Sequence, residues 1–331
     1  MGDRLLPIDR ERRLIVKVED TTNPMYGVSP ENRPIKDYIN NGFINLDKPA
    51  GPTSHEVVAW IKKILHLTKA GHSGTLDPQV TGVLPVLLNK GTKLIQTLLN
   101  AGKEYIVLMR LHSRVAEDKI KETVSLFKGK IFQRPPVRSS VKRQLRVRNI
   151  YYIEVLEVVD RDALIVVGCE AGTYARKLVY DIGEAIGCGA HMQELRRTRS
   201  GPHREDDTLK TLHDVLDAYR FYEEEGDETG VRAVIQPMEN AITHIPKIIV
   251  RDTAVDALCH GASLAAPGIL SLDSDIHPND LVAFFTLKGE VIGLGRSLNT
   301  TKQILEMNHG IVATTDSVVM GEGTYPALWK P

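Results

Sequence analysis

Apolar residues recur along this chain with two distinct periods. From Gly42 onward the pattern is regular: Phe43-Ile44-Asn45-Leu46 reads as a strand, and GPTSHEVVAWIKKIL (51–65) opens a helix. Within that helix Val57, Trp60, Ile61, Ile64 and Leu65 fall on one face, and Thr53 with Glu56 has capping-box spacing. Residues 103–111 (KEYIVLMRL), 151–158 (YYIEVLEV) and 163–169 (ALIVVGC) carry strand patterns. Tyr174 to Ile186 predicts a helix stopped by Gly187. Residues 222–228 (YEEEGDE) hold five acids and no base, which suits a solvated helix running into a loop.

The pattern changes at both ends. Residues 1 to about 38 mix charges with Pro7, Pro24, Pro30 and Pro34, as in an extended arm with at most one short strand near Leu14 to Val18. From Pro246 the strands become short and are punctuated by Gly and Pro: KIIVRD, LVAFFTL, VIGLGRS and IVATTDSVVM. That is the pattern of a small β-barrel. The expected organisation is an arm over residues 1–41, a central domain over 42–246 and a barrel over 247–331.

Composition narrows the class. A chain of 331 residues with 42% hydrophobic and 25% charged residues builds a core. Lys plus Arg equals Asp plus Glu at 42 each, so any basic surface is local. Cys169, Cys188 and Cys259 have no metal-knuckle spacing and read as reduced thiols. MGDRLLPIDRERR has no apolar signal core, and no apolar run approaches the roughly 18 residues that span a bilayer. The expectation is a cytoplasmic protein.

The most informative segment is GHSGTLDPQVTGVLPVLLNKGTKL (71–94). Gly71 and Gly74 permit tight turns, and Pro78 disfavours a helical conformation at Asp77. Asp77 is thereby presented on a shaped loop. On spacing alone, L-D-P-x-x-T-G also describes a turn whose Asp caps the next element. Three further segments share its chemistry. KEY places Tyr105 on a strand, EAGTYARKL places Tyr174 and Arg176 at a helix start, and ELRRTRSGP places Leu195 beside Arg196, Arg197 and Arg199. Taken singly, each has an ordinary reading as packing, solvated charge or a basic loop.

Together GHSGTLDP, KEY, GTYARKL and LRRTRSG resemble, in order and approximate spacing, the motifs of the TruB family of pseudouridine synthases. FINLDKPAGPTSHEVV (43–58) and RPPVRSSVKR (134–143) resemble its further motifs. The stretches HGASLAAPGI, NDLVAFFTLKGEVIGLG and HGIVATT resemble a PUA domain, and that pairing is similar to the archaeal and eukaryotic dyskerin branch. The absence of long lysine-rich tails favours the archaeal form.

The resemblance implies an α+β fold: a mixed, largely antiparallel central sheet with flanking helices, plus the PUA barrel. It implies Asp77 as the catalytic aspartate and His72 near the target nucleotide. It also implies Tyr105 as the ring stacked on uracil, Tyr174 and Arg176 as the GTYxR pair, Leu195 lining the pocket, and Lys48 and Pro49 supporting the loop. Residues 134–148 hold six Arg or Lys and no acid, and residues 195–204 hold four Arg. Beside a pocket that receives a flipped base, such runs suit phosphate contact, with Lys142, Arg143, Arg146, Arg196 and Arg197 as candidates.

The implied partners are an H/ACA guide RNA, small Nop-type and Gar-type proteins and a kink-turn-binding ribosomal-type protein. The implied substrate is ribosomal RNA, with transfer RNA as the alternative. LHSRVAEDKIKETVSLFKG (111–129) lacks the longer insertion of bacterial TruB enzymes, which points toward a guide. The isomerisation needs no redox change and so no cofactor. Asp77 would have to stay ionised inside an enclosed pocket, with Arg176 opposing the effect of burial. Two rivals remain: a stand-alone transfer-RNA enzyme of the same fold and a silent RNA-binding scaffold. A metal-dependent nuclease lacks any Asp/Glu/His cluster at ligand spacing.

Overall fold

The computed structural model describes residues 4–134 and 144–327. Its first strand, β1 (Leu14–Val16), belongs to the arm. Eight more follow: β2 (Gly42–Lys48), β3 (Ala70–His72), β4 (Thr81–Leu88), β5 (Lys103–Leu111), β6 (Gly129–Gln133), β7 (Arg146–Val159), β8 (Asp162–Cys169) and β9 (Ala190–Ser200). Among the described residues one sheet runs in the order Leu209–Lys210, β2, β4, β9, β5, β8, β7, β6. The β5–β8, β5–β9, β6–β7 and β7–β8 pairs are antiparallel and the β4–β9 pair is parallel, so the sheet is mixed.

Alternation on β5 explains its place at the centre. Lys103, Val107, Met109 and Leu111 are buried, and the intervening residues are half-buried. One face packs on the helix Ala175–Ile186 through Val107, Met109, Ile165, Leu178, Val179 and Ile182. That helix ends where Gly187 takes a left-handed φ of 94° as its C-cap. The helix Ser54–Ile64 starts on the Thr53/Glu56 capping box, with both reciprocal hydrogen bonds made. Val57, Ile61 and Leu65 are buried, but Trp60 is 45% exposed, so the buried arc is narrower than the apolar face of the helix. The acidic segment 222–228 begins within the helix Leu212–Glu225, which is capped by Gly226, and continues into the following loop.

The chain divides into two compact units that do not follow contiguous segments. One comprises residues 1–9, 44–86 and 95–234; the other comprises residues 10–43, 87–94 and 235–331. In the second unit a seven-stranded sheet runs Leu14–Val16, Ile269–Asp273, Lys247–Val250, Leu281–Phe285, Val291–Ser297, Ile311–Val318, Leu264–Ala265 among the described residues. Its core holds Ile248, Val255, Leu272, Val282, Phe284 and Val312. The arm joins this sheet: β1 pairs antiparallel with Ile269–Asp273, Leu14 opposite Asp273. The same unit buries an ion pair, with Arg33 donating to Glu239 at 2.7 and 3.0 Å.

Candidate active site

The loop between β3 and β4 carries Asp77. Its tip is a β-turn: the Val80 amide donates to the Asp77 carbonyl at 3.0 Å, with Pro78 in the position that proline favours. Lys48, at the end of β2, is fully buried, and its ammonium donates to the carbonyls of Pro49 (2.8 Å), Pro78 (2.9 Å) and Val80 (2.9 Å). Ser54 closes the other side. Its Oγ accepts from the Leu76 amide at 2.9 Å and lies 3.1 Å from the Leu76 carbonyl. The Gly51 amide adds a bond to the Pro78 carbonyl at 2.9 Å. Asp77 therefore stands on a loop whose own polar groups are bound from below.

Arg176, in the first turn of the helix Ala175–Ile186, donates to the Asp77 carboxylate. The two side chains are 60% and 54% exposed, so the expected enclosed pocket is corrected to an open site. Tyr174 is the N-cap residue of that helix, and buried Gln133 fixes its backbone. Gln133 accepts from the Tyr174 amide at 2.9 Å and donates to its carbonyl at 3.1 Å.

Tyr105 on β5 lies opposite Arg197 of β9 and Val167 of β8, and Leu195 of β9 lies opposite Val107. Both Tyr105 and Leu195 are half-buried against the same apolar cluster. Burial pushes the Tyr105 phenol up, with Arg197 across the strand pair opposing, so it stays protonated. His72 ends β3. Its Nδ1 accepts from the Gly74 amide at 3.2 Å, and its ring meets that of His55 edge-on at 5.1 Å. Burial, then the neighbouring His55 and Arg197, push His72 down to about 4, so it is neutral near pH 7.

The basic run on β9 needs correction. Arg197 is 1% exposed and cannot reach a phosphate: its Nε donates to Val83 O at 2.7 Å and its Nη2 to Gly74 O at 3.1 Å. Arg196 is partly buried between two carboxylates, 2.9 Å from Asp47 and 2.5 Å from Glu205, which raise its pKa. Arg146 begins β7 opposite Gln133 and is half-exposed. Lys142 and Arg143 lie outside the described residues.

Sequence reasoning missed Ser54, Gln133 and Asp47. Ser54 carried one signal, a small polar residue directly after the N-cap of an amphipathic helix. Among the described residues no group of three or more His, Cys, Asp or Glu could hold a metal ion, and no helix is long and apolar enough to cross a membrane.

Family models match successive parts of the chain. They are the DKCLD (NUC011) domain over 4–58, the TruB family pseudouridylate synthase N-terminal domain over 62–119, the tRNA pseudouridylate synthase B C-terminal domain over 176–243, and the PUA domain over 246–319. The chain is 59% identical to the probable tRNA pseudouridine synthase B of Methanopyrus kandleri, across 99% of this chain and 96% of that one. Identity to the protein of the same name from Thermococcus kodakarensis is 56%, across 99% and 97%. A chain from an H/ACA RNP bound to a substrate RNA containing 2′-deoxyuridine superposes with a TM-score of 0.93 at 54% identity, covering 98% of this chain and 100% of that chain. A chain from a Cbf5-Nop10-Gar1 complex gives 0.93 at 56%, covering 98% and 99%.

Proposed function

The chain belongs to the TruB family of pseudouridine synthases, and from that premise we propose that it is the catalytic subunit of an archaeal H/ACA ribonucleoprotein. It isomerises uridines of ribosomal RNA selected by a guide, in the cytoplasm. Its partners are the guide RNA, small Nop-type and Gar-type proteins and a kink-turn-binding protein. One observation carries this reading: the end-to-end likeness to chains of H/ACA particles, arm and PUA domain included.

The reaction breaks the N1–C1′ bond, turns the base and joins C5 to C1′. The C5 proton leaves and N1 regains one, so no electrons are exchanged. Asp77 acts as the nucleophile at C1′ or as the base that starts cleavage. Arg176 orients its carboxylate. The target uridine must be flipped out of its stack at a cost of about a few kcal/mol. Stacking on Tyr105 recovers roughly 1–3 kcal/mol of that. Leu195 lines the pocket, His72 offers a neutral imidazole beside the nucleotide, and Tyr174 joins Arg176 as the GTYxR pair of the substrate site. Lys48 and Pro49 hold the Asp77 loop without reacting. Arg146, Lys142 and Arg143 contact the RNA backbone. The PUA domain grips the guide.

A second reading, a stand-alone enzyme for the TΨC-loop uridine of transfer RNA, is favoured by the names of the relatives from Methanopyrus kandleri and Thermococcus kodakarensis. Single-turnover assays on a ribosomal RNA fragment, with and without matched guide and partner proteins, separate the two. Site-specific modification that depends on the guide is expected. Equal modification without it would promote the stand-alone enzyme.

A further inference from the structure

Strand β9 carries three arginines in four positions, and the structure treats them differently. Arg196 is neutralised by Asp47 and Glu205. Arg199, 3% exposed, is neutralised by Asp9, to which its Nη1 donates at 2.7 Å. Arg197 is 1% exposed, yet among the described residues it makes no ion pair. A guanidinium buried without a counter-ion is costly, and a methionine or leucine would fill the same space without that cost. What distinguishes Arg197 is where its donors go.

Nε and Nη2 bind the carbonyls of Val83 and Gly74, which flank the Asp77 loop on either side. Arg197 is also the cross-strand partner of Tyr105 on β5, and its charge acts on the phenol. One rigid fork thus ties both stems of the loop to the strand position opposite the ring proposed to carry the uracil. The backbone makes room for it at Gly82. With a φ of +104°, Gly82 lies so close to β9 that a Cβ there would stand 2.2 Å from the Arg197 carbonyl oxygen. Lys48 holds the loop tip by the same means, donating only to carbonyls. The positive field of Arg197 reaches its neighbours. Lys48, His72 and Lys103 all have lowered pKa values, caused first by burial, with Arg197 contributing to each.

We propose that Arg197 is a positioning residue for the isomerisation: from within the sheet it fixes the Asp77 loop and Tyr105 relative to one another, and its uncompensated charge favours the negative charge that develops as the N1–C1′ bond breaks. The inference rests on Asp77 and Tyr105 having the roles given above. Charge preorganised in this way needs no rearrangement when the bond breaks. It also explains why a basic residue here need not touch RNA.

The test uses the full chain assembled with guide and partner proteins, comparing wild type, Arg197→Met and Arg197→Lys. Single-turnover rate at saturating enzyme and substrate Kd at several salt concentrations are measured together. Arg197→Met is expected to lower the rate on the order of 10²-fold, the range for loss of one preorganised donor. Kd and its salt slope should stay unchanged, and Arg197→Lys should recover about tenfold or more. An unchanged rate, a Lys variant no better than Met, or a weakened Kd with a shallower salt slope would each overturn the proposal, the last by restoring a phosphate contact. Should Arg197→Met fail to fold, Arg197→Gln replaces it. Amide exchange of residues 74–83 is followed in parallel without RNA. It should quicken in Arg197→Met and recover in Arg197→Lys, and no change there would also overturn the proposal. A wild-type complex inactive on guided RNA would instead refute the functional reading, leaving the exchange result to decide this one.

Discussion

Replacing Lys48 by Met removes the ammonium that binds three carbonyls at 2.8–2.9 Å while keeping a stem of similar length. The three acceptors do not suffer equally. Pro49 is exposed, so its carbonyl takes water instead, and the Pro78 carbonyl keeps the Gly51 amide. Val80 is 4% exposed, and its carbonyl is left without a partner, at a cost of about 1–3 kcal/mol. Against this, Met avoids the desolvation that lowers the Lys48 pKa, which places the net loss in the lower half of that range, about 1–2 kcal/mol. For a domain of this size, about 2–4 °C is lost per kcal/mol, so Tm should fall by about 2–8 °C. The turn 77–80 loses its anchor at the same time, so the guided single-turnover rate should fall more steeply than stability alone explains. Differential scanning calorimetry and the rate assay on one preparation check both. A Tm and a rate that both match wild type would refute the view that the carbonyl cradle holds the Asp77 loop.

Other expectations are as direct. Asp77→Asn should abolish isomerisation while RNA affinity, measured by filter binding, stays within a few-fold; substantial turnover would remove Asp77 from its role. His72 is held near 4 against an ordinary 6.5, so between those values the unfolded chain binds a proton that the folded chain does not. Stability should therefore rise with pH through that window and be unaffected by His72 above it; His72→Gln should flatten the rise in urea midpoints, and an unaltered slope would count against the burial of the ring. Gly82→Ala places a methyl into the Arg197 backbone at a left-handed φ and should destabilise by more than about 1 kcal/mol in urea melts, where an unchanged midpoint would show that β4 and β9 tolerate separation.

What the sequence made legible was local. The capping box at Thr53 and Glu56, the alternation over residues 103–111 and the glycine stop at 187 each depend on near neighbours, and each forms where the pattern places it. Trp60 shows the limit of a periodic pattern, because an apolar face says nothing about how wide a partner covers it. Strand β9 was harder. AHMQELRRTRS has few apolar residues and reads as a basic loop, yet it lies between β4 and β5. Most of the groups that bury its arginines, Asp47, Asp9, Val83 and Gly74, are distant in sequence, and no spacing rule announces them. The strand Ile269–Asp273 follows an Ala-Pro-Gly turn, and pairing with the arm and with Lys247–Val250 makes it a strand.

The interleaved second unit has a consequence for synthesis. Strand β1 emerges from the ribosome about 255 residues before the strand it pairs with, Ile269–Asp273. At about 5–20 residues per second the arm waits roughly 10–50 s for its partner. The Arg33 ion pair likewise cannot form until Glu239 has been made. During that interval the beginning of the chain is available to chaperones and proteases. A premature stop before codon 269 would strip the arm of its strand partner, so damage far downstream would be read out in the arm.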